Sequence, residues 1–219
     1  MSRHADNATT ELFPAEPIET IVPGALWLHG FARDDAEALL RTIAKIAAVS
    51  PFRNMVTPGG FTMSVAMTNC GRAGWVTDRR GYRYAELDPL SEQPWPAMPP
   101  LFGAIAARAA AAAGFADFAP DACLVNRYEP GARMSLHQDK DERDFTQPIV
   151  SVSLGLPATF LFGGEKRSDR PKRLRLENGD VVVWGGPARK VFHGVDPLRQ
   201  GIDPLTGACR YNLTLRRAF

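Results

Sequence analysis

The chain is poor in the features that would place it in several large classes. Only three cysteines, Cys70, Cys123 and Cys209, occur among 219 residues. Odd in number and widely spaced, they argue against a disulfide framework and against a Cys-x-x-Cys zinc site, and they fit a reducing, cytoplasmic setting. No apolar run approaches the roughly 20 residues that span a bilayer, so no membrane partner is expected. The first thirty residues carry Asp6, Glu11, Glu16 and Glu19 without a basic start and an apolar core, so no signal peptide is expected either. There is no internal repeat, and the one biased tract is alanine-rich. Histidine is scarce, with four in the whole chain, so each one in an apolar, strand-like setting is informative.

What is present suits one substantial all-β or α+β domain with its own core, acting as a monomer. The formal charge of +2 is unevenly spread, since 10 of the 26 Lys and Arg but 12 of the 24 Asp and Glu fall in residues 1–120. The densest basic stretch is Lys166-Arg167-Ser168-Asp169-Arg170-Pro171-Lys172-Arg173-Leu174-Arg175. Six cations in ten residues with a Ser-Asp turn signal read as a phosphate-contacting loop or as a solvated hairpin.

Residues 1–20 mix polar, acidic and proline positions without period, and read as a flexible arm ahead of a single domain over 21–219. After Asp34 and Asp35, a capping pair, Leu39, Leu40, Ile43 and Ile46 recur at helical spacing to about Ala48. A second helix is expected from Pro100 to Ala113, with Gly114 as its stop. Between the helices, Phe61, Met63, Val65 and Met67 alternate with small polar residues as in a strand. With Trp75, Tyr82 and Tyr84 they make residues 50–90 either a hairpin on the core or an adaptable lid, because methionine suits irregular contacts and aromatics offer stacking faces.

Beyond Gly114, eight short β-rich runs are separated by turns: 123–128, 135–139, 149–154, 159–162, 174–176, 181–184, 191–193 and 211–215. That pattern predicts a sandwich or jelly roll over 115–219.

His137 and Asp139 are two apart in an extended run, so they share one face. His193 lies 54 residues past Asp139 in a similar apolar setting. Two histidines and one carboxylate can occupy one face of an octahedral metal, the set that non-haem iron(II) oxygenases use. Each residue taken singly has a mundane structural reading, and their order along the chain is what joins them. On the last run Arg210, Asn212, Thr214 and Arg216 share a face opposite Tyr211, Leu213 and Leu215. Arginines near a core strand need anionic partners, and a small dicarboxylate could give one carboxylate to each. Asn126 and Tyr128 can add an amide and a phenol to that pocket.

These motifs resemble the AlkB family of iron(II)- and 2-oxoglutarate-dependent dioxygenases. The resemblance is carried by Gly59-Gly60-Phe61-Thr62-Met63-Ser64-Val65-Ala66-Met67, Pro120-Asp121-Ala122-Cys123, Asn126-Arg127-Tyr128 and Leu136-His137-Gln138-Asp139-Lys140-Asp141-Glu142. It continues through Val150-Ser151-Val152-Ser153-Leu154-Gly155, Gly179-Asp180-Val181-Val182-Val183-Trp184-Gly185-Gly186 and Cys209-Arg210-Tyr211-Asn212-Leu213-Thr214. It runs from about Ser50 to Arg216. Phe61 stands where the family's run has tyrosine, and Arg133-Met134 where it has lysine and leucine.

The resemblance implies a double-stranded β-helix, or jelly roll, with N-terminal helices and a nucleotide-recognition lid. It implies His137, Asp139 and His193 as ligands of iron(II), with 2-oxoglutarate and dioxygen as cosubstrates. Asn126, Tyr128, Arg210, Asn212 and Arg216 would hold 2-oxoglutarate. Trp75 would stack on a flipped base, Tyr82 and Tyr84 would touch the nucleotide backbone, and Met63, Asp141 and Arg167 would line the base pocket. The implied activity is oxidative demethylation of 1-methyladenine and 3-methylcytosine in single-stranded or duplex DNA, or in RNA, with release of formaldehyde, succinate and carbon dioxide. Alternatives are a protein or lipid hydroxylase, a cupin-like metal binder and a silent nucleic-acid module.

Overall fold

The computed structural model describes residues 17–219. Most of the expected arm therefore lies outside the described residues, and its last part is ordered. Residues Ile18–Val22 form strand β1, which pairs with β2 (Ala25–Leu28), so the boundary expected at residue 20 falls inside a strand. Helix α1 (Ala36–Val49) follows, then β3 (Arg53–Val56), β4 (Thr62–Gly71), β5 (Gly74–Asp78), β6 (Gly81–Ala85) and helix α2 (Pro100–Ala112). The remaining strands are β7 (Ala122–Tyr128), β8 (Met134–His137), β9 (Ile149–Gly155), β10 (Ala158–Phe162), β11 (Lys172–Leu176), β12 (Val181–Trp184), β13 (His193–Val195) and β14 (Arg210–Arg216). No helix among the described residues is long and apolar enough to cross a membrane.

Among the described residues the strands form three antiparallel sheets. The largest has the order β1-β2-β12-β9-β14-β7-β4-β3, a second has β11-β10-β13-β8, and β5 and β6 pair only with each other. The first two are the facing walls of the expected jelly roll. Strand alternation explains how the large sheet serves two cores. Val150, Val152, Leu154, Val181, Val183, Leu213 and Leu215 face the helices and meet Leu39, Ile43, Ile46, Phe102 and Ile105. Val182 and Trp184 face the other way, toward Phe160, Phe162, Leu174 and Leu176 of the small sheet. Each fully buried Leu, Ile or Phe contributes about 1.5–3 kcal/mol. The alanines of α2, among them the fully buried Ala106, Ala109 and Ala110, let that helix lie close over β9 and β12.

Local signals held unevenly. Gly114, at φ +84°, follows the end of α2 in the conformation that favours glycine. Asp35 takes the N-cap position of α1 but makes no capping bond. Its carboxylate instead lies 3.5 Å from Arg108 of α2, tying the two helices together.

Two strand boundaries also differ from expectation. The run expected at 135–139 ends at His137, so Asp139 lies in the following loop, and the run expected at 191–193 instead begins at His193. Both shifts put a histidine at the same end of the small sheet. There β13 pairs with β8 so that His193 stands opposite His137. Gly194 permits the approach, because a Cβ there would sit 2.6 Å from the Met134 carbonyl oxygen.

Candidate active site

His137, Asp139 and His193 converge, with one ligand atom from each lying within 4.8 Å of the others. Nε2 of His137 is 3.7 Å from Asp139 Oδ1, and Nε2 of His193 is 3.7 Å from Asp139 Oδ2. Each imidazole has Nδ1 against the carbonyl two residues earlier, Ser135 at 2.9 Å and Val191 at 3.1 Å. A carbonyl only accepts, so Nδ1 carries the proton and the Nε2 lone pair faces the centre of the group. Burial, with His137 adding to it, pushes His193 down to about 4, so it is neutral at ordinary pH. Burial opposes ionisation of Asp139, but Arg216 and the two imidazoles outweigh it and hold the carboxyl below its usual range. Two imidazoles and one carboxylate suit a divalent first-row metal such as iron(II).

The inner face of the large sheet carries a polar stripe beside this group. Arg210 is 1% exposed, and its Nη2 donates to Ser153 Oγ at 3.0 Å while the guanidinium lies 5.0 Å from the Tyr128 ring centre. Its Nε and Nη1 have no partner among the described residues. Unpaired donors on a buried cation are costly, and a carboxylate is the group that matches their fork. Asn126 donates to Asn212 Oδ1 at 3.3 Å, Thr214 donates to the same oxygen at 2.9 Å, and Asn212 Nδ2 reaches Ser151 Oγ at 2.8 Å. Asn126 Oδ1 is likewise unpartnered.

The two arginines are not equivalent, contrary to the expectation of one carboxylate each. Arg216 already binds Asp139 Oδ2 through Nη2 at 2.6 Å and Nε at 2.9 Å. Ser151 and Ser153 were given no site role from the sequence, although they alternate with Val150, Val152 and Leu154 on β9 as inner-face residues must.

A cleft of about 750 Å³ opens over the metal-ligand group, lined among others by Met63, Trp75, Tyr82, His137, Asp141 and Arg167. Trp75 stacks on Tyr82 with ring centres 5.6 Å apart, and its indole Nε1 donates to Asp141 Oδ2 at 2.7 Å. Arg167 donates to the Leu136 carbonyl and lies 5.1 Å over Phe192. Asn126, Tyr128, Arg210 and Asn212 are buried behind the cleft rather than on its wall.

Tyr84 departs from its expected place. Its hydroxyl donates to Glu142 Oε1 at 2.7 Å and lies 3.5 Å from Arg216 Nη1, so it faces the interior and not a nucleotide backbone. The cations of the basic stretch are exposed but mostly paired. Lys172 binds the Ile21 carbonyl, Arg173 binds Asp196 and Arg175 binds Glu177, leaving the side chains of Lys166 and Arg170 without a partner among the described residues. Two buried side chains that the sequence reading did not single out for a role, Glu142 of the Asp139 loop and Arg189, pair at 3.0 Å.

A jelly roll with two histidines and a carboxylate at one end, and beside them a buried arginine with two unpartnered donor nitrogens, defines the class of iron- and 2-oxoglutarate-dependent oxygenases. The chain belongs to the AlkB family within the 2OG-Fe(II) oxygenase superfamily, whose pattern it matches over residues 24–216. It is 62% identical over 205 residues to the alpha-ketoglutarate-dependent dioxygenase AlkB of Escherichia coli (strain K12), covering 93% of this chain and 95% of that protein. A shorter match, 46% identical over 89 residues, covers 39% of this chain and 20% of the DNA N(6)-methyladenine demethylase ALKBH1C of Arabidopsis thaliana. Among solved structures, OsALKBH1 superposes with a TM-score of 0.81 at 30% identity, covering 92% of this chain and all of that one. Iron(II) and 2-oxoglutarate are accordingly the groups this site takes.

Proposed function

We propose that the protein repairs alkylated DNA by direct reversal, oxidatively demethylating 1-methyladenine and 3-methylcytosine, and that it acts as a cytoplasmic monomer. The observation that carries this reading is the placement of Trp75 and Asp141 together at the mouth of the cleft above His137. When bound, iron(II) and 2-oxoglutarate supply the oxidation, with dioxygen converting the cosubstrate to succinate and carbon dioxide and the methyl group leaving as formaldehyde. His137, Asp139 and His193 would hold the metal through the two Nε2 atoms and the Asp139 carboxylate. Arg210 would take a cosubstrate carboxylate on its unpaired donors, with Asn126, Tyr128 and Asn212 around it. Arg216 steadies Asp139.

The methyl groups at adenine N1 and cytosine N3 lie on the pairing edge, so the base must come from a single strand or be flipped from a duplex. Damage weakens pairing and lowers that cost. Trp75 then offers an indole face to the base, Met63 and Tyr82 close around it, and His137 bounds the other side. Both lesions are cationic, and Asp141 favours them over neutral bases by charge. Arg167 lines the same pocket from beside the Leu136 carbonyl, and the bulk of these side chains keeps water from the methyl carbon.

Formaldehyde release from methylated DNA, methylated RNA and a methylated peptide, measured with iron(II) and 2-oxoglutarate present, tests the proposal. Turnover of the oligonucleotides is expected, with none of the peptide. Preference for the peptide would reject the nucleic-acid reading.

A further inference from the structure

We propose that Arg189 is a positioning residue for the metal site, holding the loop that carries Asp139 in the place the ligand set needs. The inference rests on the metal reading given above. Arg189 follows the turn at Gly186–Ala188 and precedes His193 by four residues, so it belongs to the segment that delivers the second histidine. It is only 3% exposed. Its three donor nitrogens reach three separate points of the loop between β8 and β9. Nη1 donates to the Asp139 carbonyl at 2.9 Å, Nη2 to Glu142 Oε2 at 3.0 Å and Nε to the Gln147 carbonyl at 3.0 Å. Phe145, from the same loop, covers the guanidinium at 5.3 Å.

That loop is held mainly by side chains, Trp75 on Asp141, Tyr84 on Glu142 and Arg216 on Asp139 among them. Among the described residues, one main-chain to main-chain hydrogen bond involves residues 139–146, from Arg143 N to the Ala218 carbonyl at 3.1 Å. Asp139 is therefore fixed at two ends by two arginines. Arg189 holds its backbone, and Arg216 holds its carboxylate at 2.6 Å. Glu142 lies between them, bonded to Arg189 and 3.5 Å from Arg216 Nε, and it also takes the Tyr84 hydroxyl. The planar guanidinium matters here, because a lysine ammonium is one point and cannot reach three acceptors spread over nine residues of chain. Partners that orient a metal ligand typically change metal affinity about 10–100-fold when removed.

The test is anaerobic titration of the metal-free protein with cobalt(II), read by visible absorbance, alongside the thermal midpoint of each protein without metal. Arg189→Lys is expected to weaken cobalt binding by the folded protein about tenfold or more, and to lower its metal-free midpoint through the buried acceptors that lysine leaves unmet. Should that variant not fold, Arg189→Met combined with Glu142→Gln removes the pair without stranding a buried charge, and the same loss is expected. Cobalt affinity within about twofold of wild type in either folded variant, with or without a lower midpoint, overturns the proposal. Wild type that binds no cobalt, or His137→Ala that binds it equally well, would instead remove the metal reading itself.

Discussion

Replacing Arg210 by methionine should separate stability from cosubstrate binding, because this guanidinium is buried for a partner that the fold alone does not provide. Its Nε and Nη1 have no hydrogen-bond partner among the described residues. Each unsatisfied buried donor costs about 1–3 kcal/mol. Methionine loses the Ser153 hydrogen bond, worth about 1 kcal/mol, and the contact with the Tyr128 ring, worth about 0.5–2 kcal/mol. The net expectation is that Arg210→Met is more stable than wild type by about 1–3 kcal/mol. At about 2–4 °C per kcal/mol for a chain of this size, its melting midpoint should rise by roughly 2–12 °C. Adding 2-oxoglutarate at about 100 times its Kd should stabilise wild type by about 2.7 kcal/mol and leave the variant unmoved. Thermal melts of both proteins, with metal present and cosubstrate added or withheld, read this directly. A variant that melts below wild type without cosubstrate, or that gains the same shift with it, refutes the reasoning.

Acidification should weaken the metal-free protein. The folded state holds His193 near 4 while an unfolded histidine titrates near 6.5, so the unfolded chain binds more protons between those values. Stability should fall as pH drops through that window, by at most about 1.4 kcal/mol per unit from this group, and a flat or rising urea midpoint would contradict it. Asp141→Asn should lower the preference for methylated over unmodified bases in competition assays, and unchanged discrimination would remove the charge argument. Changing Lys166 and Arg170 together to alanine should reduce the salt slope of oligonucleotide binding by about two while sparing turnover of a methylated trinucleotide, and an unaltered slope would exclude both from phosphate contact.

The parts of the fold that alternate or repeat locally were legible in the chain. The β14 face Arg210, Asn212, Thr214 and Arg216 points inward together, and the apolar spacing of Leu39, Ile43 and Ile46 marks the buried side of α1. What escaped depends on pairings between distant residues. Arg216 meets Asp139 across 77 positions and Arg189 meets Glu142 across 47, and neither contact leaves a periodic trace. Tyr84 was misplaced for a related reason. Its spacing from Tyr82 puts both tyrosines on one side of β6, yet the buried acceptor Glu142 draws the Tyr84 hydroxyl inward while Tyr82 stays exposed. The strand expected to carry both His137 and Asp139 stops at the histidine, which frees the carboxylate to turn toward Arg216.

The central claim is tested most directly by anaerobic loading with iron(II) and 2-oxoglutarate, followed by oxygen and an oligonucleotide containing 1-methyladenine. Formaldehyde and succinate should appear in equal amounts with wild type, and neither should appear with His137→Ala. No formaldehyde from wild type, or an equal yield from His137→Ala, would contradict the account.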